Sequence, residues 1–238
     1  MSRPPNGFLR SLSGGDFELL RPHLRTVPLP RSKTLYDVGG RIECLYFPHS
    51  GVICLVVVLA DGEMVEAAIV GHDGVAGTPA ALDDAVALNR AIVQVEGTAS
   101  VLDMPHAQAA VAASKTLRKR LYLYDQILMA QAQQLAACNA KHEIEARLCR
   151  WLLRMRDITQ SDTLDLTQEF IALMLGVRRT SVTLAARHLQ ALKIIKYRRG
   201  RIQIVDPDGL KEASCECHEA LKAQVARLIP PPQVRPLA

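Results

Sequence analysis

The chain has 238 residues, of which 49% are hydrophobic and 22% charged, with 29 basic and 24 acidic side chains. These proportions are those of a globular protein and argue against extensive disorder. The longest apolar run covers only residues 52–60, too short to span a membrane, and residues 1–17 lack the apolar segment of a secretory signal. The six cysteines show no framework spacing, so we expect free thiols in a cytoplasmic protein that has no membrane partner.

Residues 1–106 have the pattern of a β-domain. After a short helix predicted at 16–24, apolar runs alternate with glycine-containing turns, which is typical of an antiparallel barrel or jelly roll. The predicted strands are 33–36, 42–47, 52–59, 64–70, 92–95 and 100–102. Between the third and fourth of them, Asp61-Gly62 predicts a hairpin with a type I′ turn.

Residues 107–140 contain neither proline nor glycine and are predicted to form one long helix. Steps of four and three, typical of a coiled-coil seam, connect Leu117, Leu121, Tyr124, Leu128, Gln131, Leu135 and Cys138. This stripe could pack on the chain's own β-domain. A helix of such length between two domains, with a glutamine in the seam, favours a partner helix from a second copy. We therefore interpret it as a dimerisation helix.

Residues 141–212 contain the pattern of a winged helix-turn-helix. After a helix at 142–156, Thr167 is placed to cap the next helix and Gly176 to close it in the left-handed conformation. The following helix, predicted at 178–192, would enter the major groove of DNA. Its buried face is predicted to contain Val182, Ala185 or Ala186, Leu189 and Leu192. An alternating segment around Arg199-Gly200 predicts the β-hairpin wing.

Positive charge is concentrated in this domain, since eight Lys or Arg and no acidic residue lie between Arg178 and Arg201. Without these eight, the 29 basic residues fall to 21 against 24 acidic ones. Such a local patch is the footprint of a nucleic-acid reader. The alternative is a helical corner with a solvated basic face, which leaves the coincidence of turn, patch and hairpin unexplained.

The candidate DNA contacts divide into two groups. Candidates for reading base edges lie on the second helix: Arg179, Thr180, Ser181, Thr183, Leu184 and Arg187. Candidates for positioning the protein on phosphates are Thr167, Gln168, Arg178, Lys196, Arg198, Arg199 and Arg201. Any one wing arginine, taken alone, could equally be solvated.

A β-roll, a long helix, the segment LTQEFIALMLGVRRTSVTLAARHLQ and a basic wing together resemble the Crp/Fnr family of bacterial transcription regulators. The resemblance covers nearly the whole chain and is strongest over residues 166–204. It implies an α+β fold with a cyclic-nucleotide-binding-like jelly roll as sensor domain. It also implies a homodimer that binds a roughly palindromic site on double-stranded DNA and contacts RNA polymerase. No catalytic constellation is recognisable, so the protein is predicted not to be an enzyme.

The chain departs from the family pattern at both ends. The best-known members read DNA with the motif Arg-Glu-Thr-Val-x-Arg in the recognition helix. In this chain, Thr180 replaces the Glu of that motif and Leu184 replaces its second Arg. The preferred DNA half-site should therefore differ. Thr78, Asn89 and Arg90 lie in the region that holds a cyclic nucleotide in other members. The family's Glu is missing there and its Arg is displaced or lost, so an unknown small-molecule effector is expected instead. The first cysteine is Cys44, which leaves no N-terminal iron–sulfur ligand cluster.

The segment 213–238 is predicted to be a C-terminal extension with a proline-rich tail, expected to be disordered or loosely docked. Cys215, Cys217 and His218 could bind a metal or sense redox state. No second ligand pair at metal-site spacing accompanies them, which favours partly buried thiols at a helix end. No cofactor is therefore predicted. An alternative function stays open, namely a small-molecule- or redox-sensing β-roll whose winged helix mediates protein contacts.

Overall fold

A computed structural model describes residues 3–83 and 85–228, and the proline-rich tail lies outside the described residues. The helices are α1 (Gly7–Ser11), α2 (Gly14–Leu20), α3 (Thr78–Asp83), α4 (Met104–Ala113), α5 (Lys115–Lys141), α6 (Ile144–Thr159), α7 (Gln168–Leu175), α8 (Arg179–Ala191), α9 (Pro207–Glu212) and α10 (Cys217–Leu228). The strands are β1 (Arg25–Leu29), β2 (Thr34–Tyr36), β3 (Cys44–Pro48), β4 (Val52–Val58), β5 (Met64–Val70), β6 (Arg90–Val95), β7 (Gly97–Asp103), β8 (Thr163–Asp165), β9 (Ile195–Arg198) and β10 (Arg201–Ile204).

Two antiparallel sheets form the N-terminal domain, with strand orders β1-β7-β3 and β2-β6-β4-β5. Their inner faces share one apolar core, in which Phe47 of the first sheet and Ile53 of the second are fully buried. All six predicted strands are present. Strand β1 was not predicted, because its outward residues give it no regular apolar alternation and Pro28 interrupts it. It lies at the edge of its sheet, where a strand tolerates proline.

The predicted β4–β5 hairpin is present, but the type I′ turn is wrong. Leu59 N–H donates to the Glu63 carbonyl (2.8 Å) and Gly62 N–H to the Leu59 carbonyl (2.9 Å). Only Gly62 has a positive φ (86°), whereas a type I′ turn requires positive φ at both central residues. The connection is therefore a three-residue loop closed by Gly62, the next most common hairpin geometry.

The long helix predicted for residues 107–140 is two helices, α4 and α5, separated at Ser114. Ser114 has an extended backbone (φ −131°, ψ 113°) and its hydroxyl oxygen accepts a hydrogen bond from Leu117 N–H (3.1 Å). The same hydroxyl donates to Asp16, and so does that of Thr116 (2.8 Å). Ser114 thus caps α5 and anchors its start to α2, a tertiary contact that no local sequence signal reveals.

The predicted coiled-coil seam of α5 faces its own chain. Leu117, Leu121, Tyr124 and Leu128 belong to the core of the N-terminal domain. Gln131 accepts a hydrogen bond from Ile69 N–H of β5 (3.1 Å). Cys138 is fully buried against Cys215, and Leu135 is half-buried near α10. The interpretation as dimer contacts is therefore wrong for the six buried residues, which pack on their own chain, whereas Leu135 keeps part of its surface exposed.

The outer face of the β2-β6-β4-β5 sheet carries the C-terminal domain. Val52, Cys54 and Ile69 on that face share an apolar core with α6 and α7. At its centre the indole N–H of the fully buried Trp151 donates to Glu66 Oε2 (2.9 Å). The β2-β6-β4-β5 sheet and the helix-turn-helix thus share one continuous apolar core.

The pH dependence of this joint follows from Glu66. Burial raises the pKa of the Glu66 carboxyl above its ordinary value. A group with a raised folded-state pKa contributes stability that is fully present below its unfolded pKa and is lost as pH rises through its folded pKa. Because Glu66→Gln cannot ionise, we expect the stability of this variant relative to the wild type to increase from acidic to neutral pH.

Urea unfolding followed by the fluorescence of Trp151, the single tryptophan, measures this difference at each pH. Glu63→Gln, on the exposed turn of the same hairpin, is the matched control for the loss of one carboxylate from this segment. A difference for Glu66→Gln that stays constant across pH would contradict the assignment.

Candidate nucleic-acid interface

The two helices α7 and α8 form the predicted helix-turn-helix. The Thr167 hydroxyl caps α7 by accepting a hydrogen bond from Phe170 N–H (3.2 Å). Gly176 adopts the left-handed conformation (φ 60°, ψ 45°), as predicted, and closes the helix. Buried Ala172 allows the close approach of α8, whose Val182 is fully buried. The cap and the turn were both predicted from the sequence.

Helix α8 buries one face and exposes the other. Val182, Ala185, Ala186 and Leu189 are buried, as predicted, but Leu192 is 52% exposed because α8 ends at Ala191 and Leu192 lies in the following turn. The exposed face contains Arg179, Thr180, Leu184 and Arg187, and Leu184 is 67% exposed. Ser181 and Thr183 are half-buried at its margin. The Thr183 hydroxyl lies 2.8 Å from Gln168 Oε1, so it is engaged in orienting Gln168.

The wing is a tight hairpin formed by β9 and β10. Arg198 pairs with Arg201, and the two residues between them, Arg199 (φ 51°) and Gly200 (φ 77°), both have positive φ. These values are those of a type I′ turn. The predicted hairpin is confirmed, and β10 also pairs with β8 to complete a three-stranded sheet.

A polar cleft of about 320 Å³ lies between α7, α8 and the wing. It is lined by Thr167 and Gln168 at the start of α7, Arg179 at the start of α8, and Tyr197, Arg199 and Gly200 of the wing. The Tyr197 hydroxyl donates to the Leu166 carbonyl (2.9 Å), which fixes the floor of the cleft. Two guanidinium groups and a helix N-terminus around one polar cleft are the chemistry that binds an anion such as a DNA phosphate.

The wing cations are not equivalent. Arg201 Nε lies 2.7 Å from Asp165 Oδ1 on the paired strand, and this pairing lowers the pKa of the Asp165 carboxyl. Arg178, Lys196 and Arg198 are exposed and form no ion pair with any residue that the structure describes. Asp165 lies outside the acid-free segment, so the sequence did not reveal that one cation of the patch is already partnered.

The three predicted effector-binding residues are separated from one another in the N-terminal domain. A cavity of about 250 Å³ between the β-roll and α5 is lined by Asn89. Thr78 is fully buried at its edge and donates to Asp125 Oδ1 (3.2 Å). Arg90 lies outside the lining, with two nitrogens 2.9 and 2.7 Å from the Asp37 carboxylate. The residue that could have held a cyclic phosphate is thus committed to another partner.

Sequence reasoning missed Asp125, which lines this cavity from α5. Burial raises the pKa of the Asp125 carboxyl. The other described lining residues are apolar or neutral, among them Leu55, Ala68, Leu128 and Met129. An acidic group in an apolar cavity disfavours an anionic ligand.

Among the weak metal candidates, Cys215 and Cys217 lie together but His218 lies elsewhere, with Nε2 3.3 Å from Asp157 Oδ2. Cys138 and His142 take its place beside the two thiols. Sequence reasoning missed these two because they precede Cys215 by more than 70 positions, and only the packing of α10 on α5 brings them close.

The fold and the interface define a winged-helix protein with a jelly-roll domain. Its C-terminal part, residues 146–213, matches the sequence pattern of the Crp-like helix-turn-helix domain. Comparison with curated protein sequences finds no significant match. None of the helices within residues 3–83 and 85–228 is both long and apolar enough to cross a membrane.

Several solved structures have a similar fold. FixK2 from Bradyrhizobium japonicum is 14% identical, with a TM-score of 0.69 over 81% of this chain and 98% of FixK2. The c-di-GMP-responsive global regulator CLP from Xanthomonas campestris is 13% identical, with a TM-score of 0.67 over 81% and 99% of the two chains. A CRP/FNR-family regulator from Thermus thermophilus is 21% identical, with a TM-score of 0.66 over 82% and 98%.

These findings confirm the resemblance seen in the sequence. Residues 146–213 are a Crp-like helix-turn-helix domain, and the chain has the fold of Crp/Fnr-family transcription regulators.

Proposed function

We propose that the protein is a sequence-specific DNA-binding transcription regulator that acts as a homodimer. The observation that supports this most directly is the exposed face of α8, with Arg179, Thr180, Leu184 and Arg187 side by side beside a polar cleft. An exposed leucine among cations is costly in water but suits contact with a thymine methyl group. The start of α8, where Arg179 lies, is the part of a recognition helix that reaches base edges.

The homodimer is proposed to form through the exposed face of α5, opposite the buried seam. Exposed positions on this helix step by four and three: Lys115, Lys119, Tyr122, Gln126, Met129, Gln133, Ala136 and Ala140. Tyr122 is 54% and Met129 56% exposed, which is unusual for large apolar side chains of a helix. A helix with one heptad stripe buried in its own chain and a second one exposed is suited to pair with a second copy.

A dimer of this kind presents two copies of α8 related by a twofold axis, so its operator would be approximately palindromic. We propose that the switching ligand occupies the sensor cavity between the β-roll and α5. Apolar walls and the Asp125 carboxyl favour a small, largely apolar molecule that donates a hydrogen bond, rather than a cyclic nucleotide. Since α5 both lines this cavity and carries the dimer face, occupancy would act directly on the dimer.

Selection of bound fragments from genomic DNA, followed by fluorescence anisotropy on the selected and a scrambled duplex, tests the proposal. A regulator should prefer the selected duplex by at least about 1000-fold, with affinity falling steeply as salt rises. Equal affinity for both duplexes would instead favour a winged helix that serves protein contacts.

The unequal pairing of the wing arginines gives a further prediction. Arg198→Ala should weaken binding to selected and scrambled duplexes alike and reduce the salt slope by about one. Arg201→Ala is the matched comparison on the partner strand and should have the smaller effect, because Asp165 already neutralises Arg201. The measurement is the anisotropy titration repeated at several salt concentrations. A larger loss for Arg201 than for Arg198 would contradict the proposed phosphate contact.

A further inference from the structure

We infer that Cys138, His142, Cys215 and Cys217 form a tetrahedral zinc site. One potential ligand atom from each of the four residues lies within 4.8 Å of all the others. Cys138 Sγ is 3.6 Å from Cys215 Sγ, and Cys217 Sγ is 3.6 Å from His142 Nδ1. The edge of a tetrahedron is about 1.6 times its centre-to-corner distance, so zinc bonds of ~2.3 Å to sulfur and ~2.0 Å to nitrogen place neighbouring ligands ~3.5–3.8 Å apart. The two separations of 3.6 Å match these values, and the remaining ones are all within 4.8 Å.

The four ligands come from two pairs on different elements. Cys138 lies in the last turn of α5, and His142 is the residue that ends this helix. Cys217 is the first residue of α10, and Cys215 lies in the turn before it. Each pair is short-range, Cys-x-x-x-His and Cys-x-Cys, and the packing of α10 on α5 brings the pairs together. Two ligand pairs on separate elements are the usual construction of a closed structural zinc site.

The groups around the cluster are those that support metal ligands. His142 has Nδ1 toward Cys217, and its Nε2 lies 3.2 Å from Glu216 Oε2. A carboxylate on the far nitrogen orients a histidine and favours the tautomer that binds metal through the near one. Gln134 donates a hydrogen bond from Nε2 to Cys217 Sγ (3.1 Å), as amides do to metal-bound thiolates.

The charge of the proposed site is complementary to two buried arginines. Arg147 and Arg150 are 7% and 8% exposed, and within residues 3–83 and 85–228 their Nε atoms have no hydrogen-bond partner. Both lie close enough for charge interaction with Cys138. A zinc ion with three thiolates and one imidazole carries a net charge of −1, so a guanidinium beside it is compensated. Arg147 also donates a hydrogen bond to the Leu175 carbonyl and Arg150 lies near the Glu66 carboxyl, so a negatively charged zinc site would add to the compensation of both arginines.

The geometry distinguishes the site from two alternatives. A Cys138–Cys215 disulfide requires a sulfur separation of ~2.0 Å and leaves His142 and Cys217 without a role. An iron–sulfur cluster distributes its protein ligands over several iron atoms, which separates them further than four atoms that all fit within 4.8 Å. Three cysteines and one histidine around a single centre are the ligand set of structural zinc.

A bound ion would fix the joint between the two domains. Glu143, which follows His142, precedes the first residue of α6, and α10 packs on both α5 and α6. Zinc would therefore tie α10 to the point where the helix of the sensor domain passes into the DNA-binding domain. Because thiols must lose protons on binding, loading should weaken at acidic pH.

Metal analysis of the full-length protein tests the inference without any DNA. We expect one zinc per chain after desalting, and cobalt added to chelator-treated protein should give the thiolate charge-transfer and visible bands of a tetrahedral site. Competition with a chromophoric chelator should show at least a 100-fold weaker zinc affinity for His142→Ala. His218→Ala is the matched control within the Cys-x-Cys-His segment and should bind zinc like the wild type. Cys44→Ala, a buried thiol of the β-roll, should do the same.

Circular dichroism and Trp151 fluorescence establish that each variant is folded. If His142→Ala fails to fold, Cys217→Ser and the wild-type cobalt spectrum serve the same purpose. Equal zinc affinity for His142→Ala and the wild type would overturn the site. So would a Cys138–Cys215 disulfide in the purified reduced protein, or iron with acid-labile sulfide in place of zinc.

Discussion

Replacing Arg179 with alanine is expected to lower the preference for the selected operator over scrambled DNA by about 10- to 100-fold for each half-site. Arg179 is the first residue of α8, is exposed, and lies at the edge of the polar cleft. From that position a guanidinium can donate two hydrogen bonds to O6 and N7 of a guanine, a contact worth about 1–3 kcal/mol of discrimination. Most of the loss should appear on the operator, because scrambled DNA offers no guanine in register.

Two companion variants make this experiment specific. Arg178→Ala removes an adjacent exposed cation that does not lie on α8, so it should weaken both duplexes similarly. Arg179→Lys keeps the charge but loses the bidentate geometry, so its discrimination should resemble that of Arg179→Ala while its salt slope resembles that of the wild type. Equal losses on operator and scrambled duplex for Arg179→Ala would show that Arg179 contacts only phosphate.

The winged helix-turn-helix domain was predictable because its determinants are local. A capping threonine at Thr167, a left-handed glycine at Gly176 and the Arg199-Gly200 turn each act within a few residues, so the sequence itself contains the relevant pattern. The apolar period of α8 similarly identified its buried face, and Leu192 was misassigned only because the helix ends one residue earlier.

Helix α5 shows what a periodic pattern leaves open. The period of Leu117, Leu121 and Leu128 correctly identified an apolar stripe, but periodicity does not say which surface covers it. The stripe packs on the chain's own core, while the exposed stripe, with Gln126, Gln133 and two alanines, is too polar to be recognised from hydrophobicity. The sequence identified only part of the proposed zinc ligand set for a related reason. Cys138 and Cys215 are 77 positions apart, so no local pattern connects them.

Introducing a charge into the exposed stripe of α5 is expected to dissociate the proposed dimer. Met129 is 56% exposed and lies in the middle of the stripe, so in a dimer its two copies would be buried near the twofold axis. Because Met129 is already partly covered in the single chain, Met129→Lys loses about 1–2 kcal/mol of burial for each of the two side chains, and it also places two like charges close together. The dimer dissociation constant should therefore rise by at least about 100-fold.

Sedimentation equilibrium measures this dissociation constant. Titration with the operator should in addition show weaker binding by the variant, because a monomer can bind only one half-site. Val38→Lys is the matched control, since Val38 is 53% exposed but lies in the connection between β2 and β3 and not on α5, and this variant should remain dimeric. Leu128→Ala tests the opposite face. Leu128 is buried in the chain's own core, so this variant should lose stability by about 2–5 kcal/mol without losing the dimer at temperatures where it is folded. If Leu128→Ala dissociated the folded dimer and Met129→Lys did not, α5 would pair through the stripe that contains Leu128 and not through the exposed stripe.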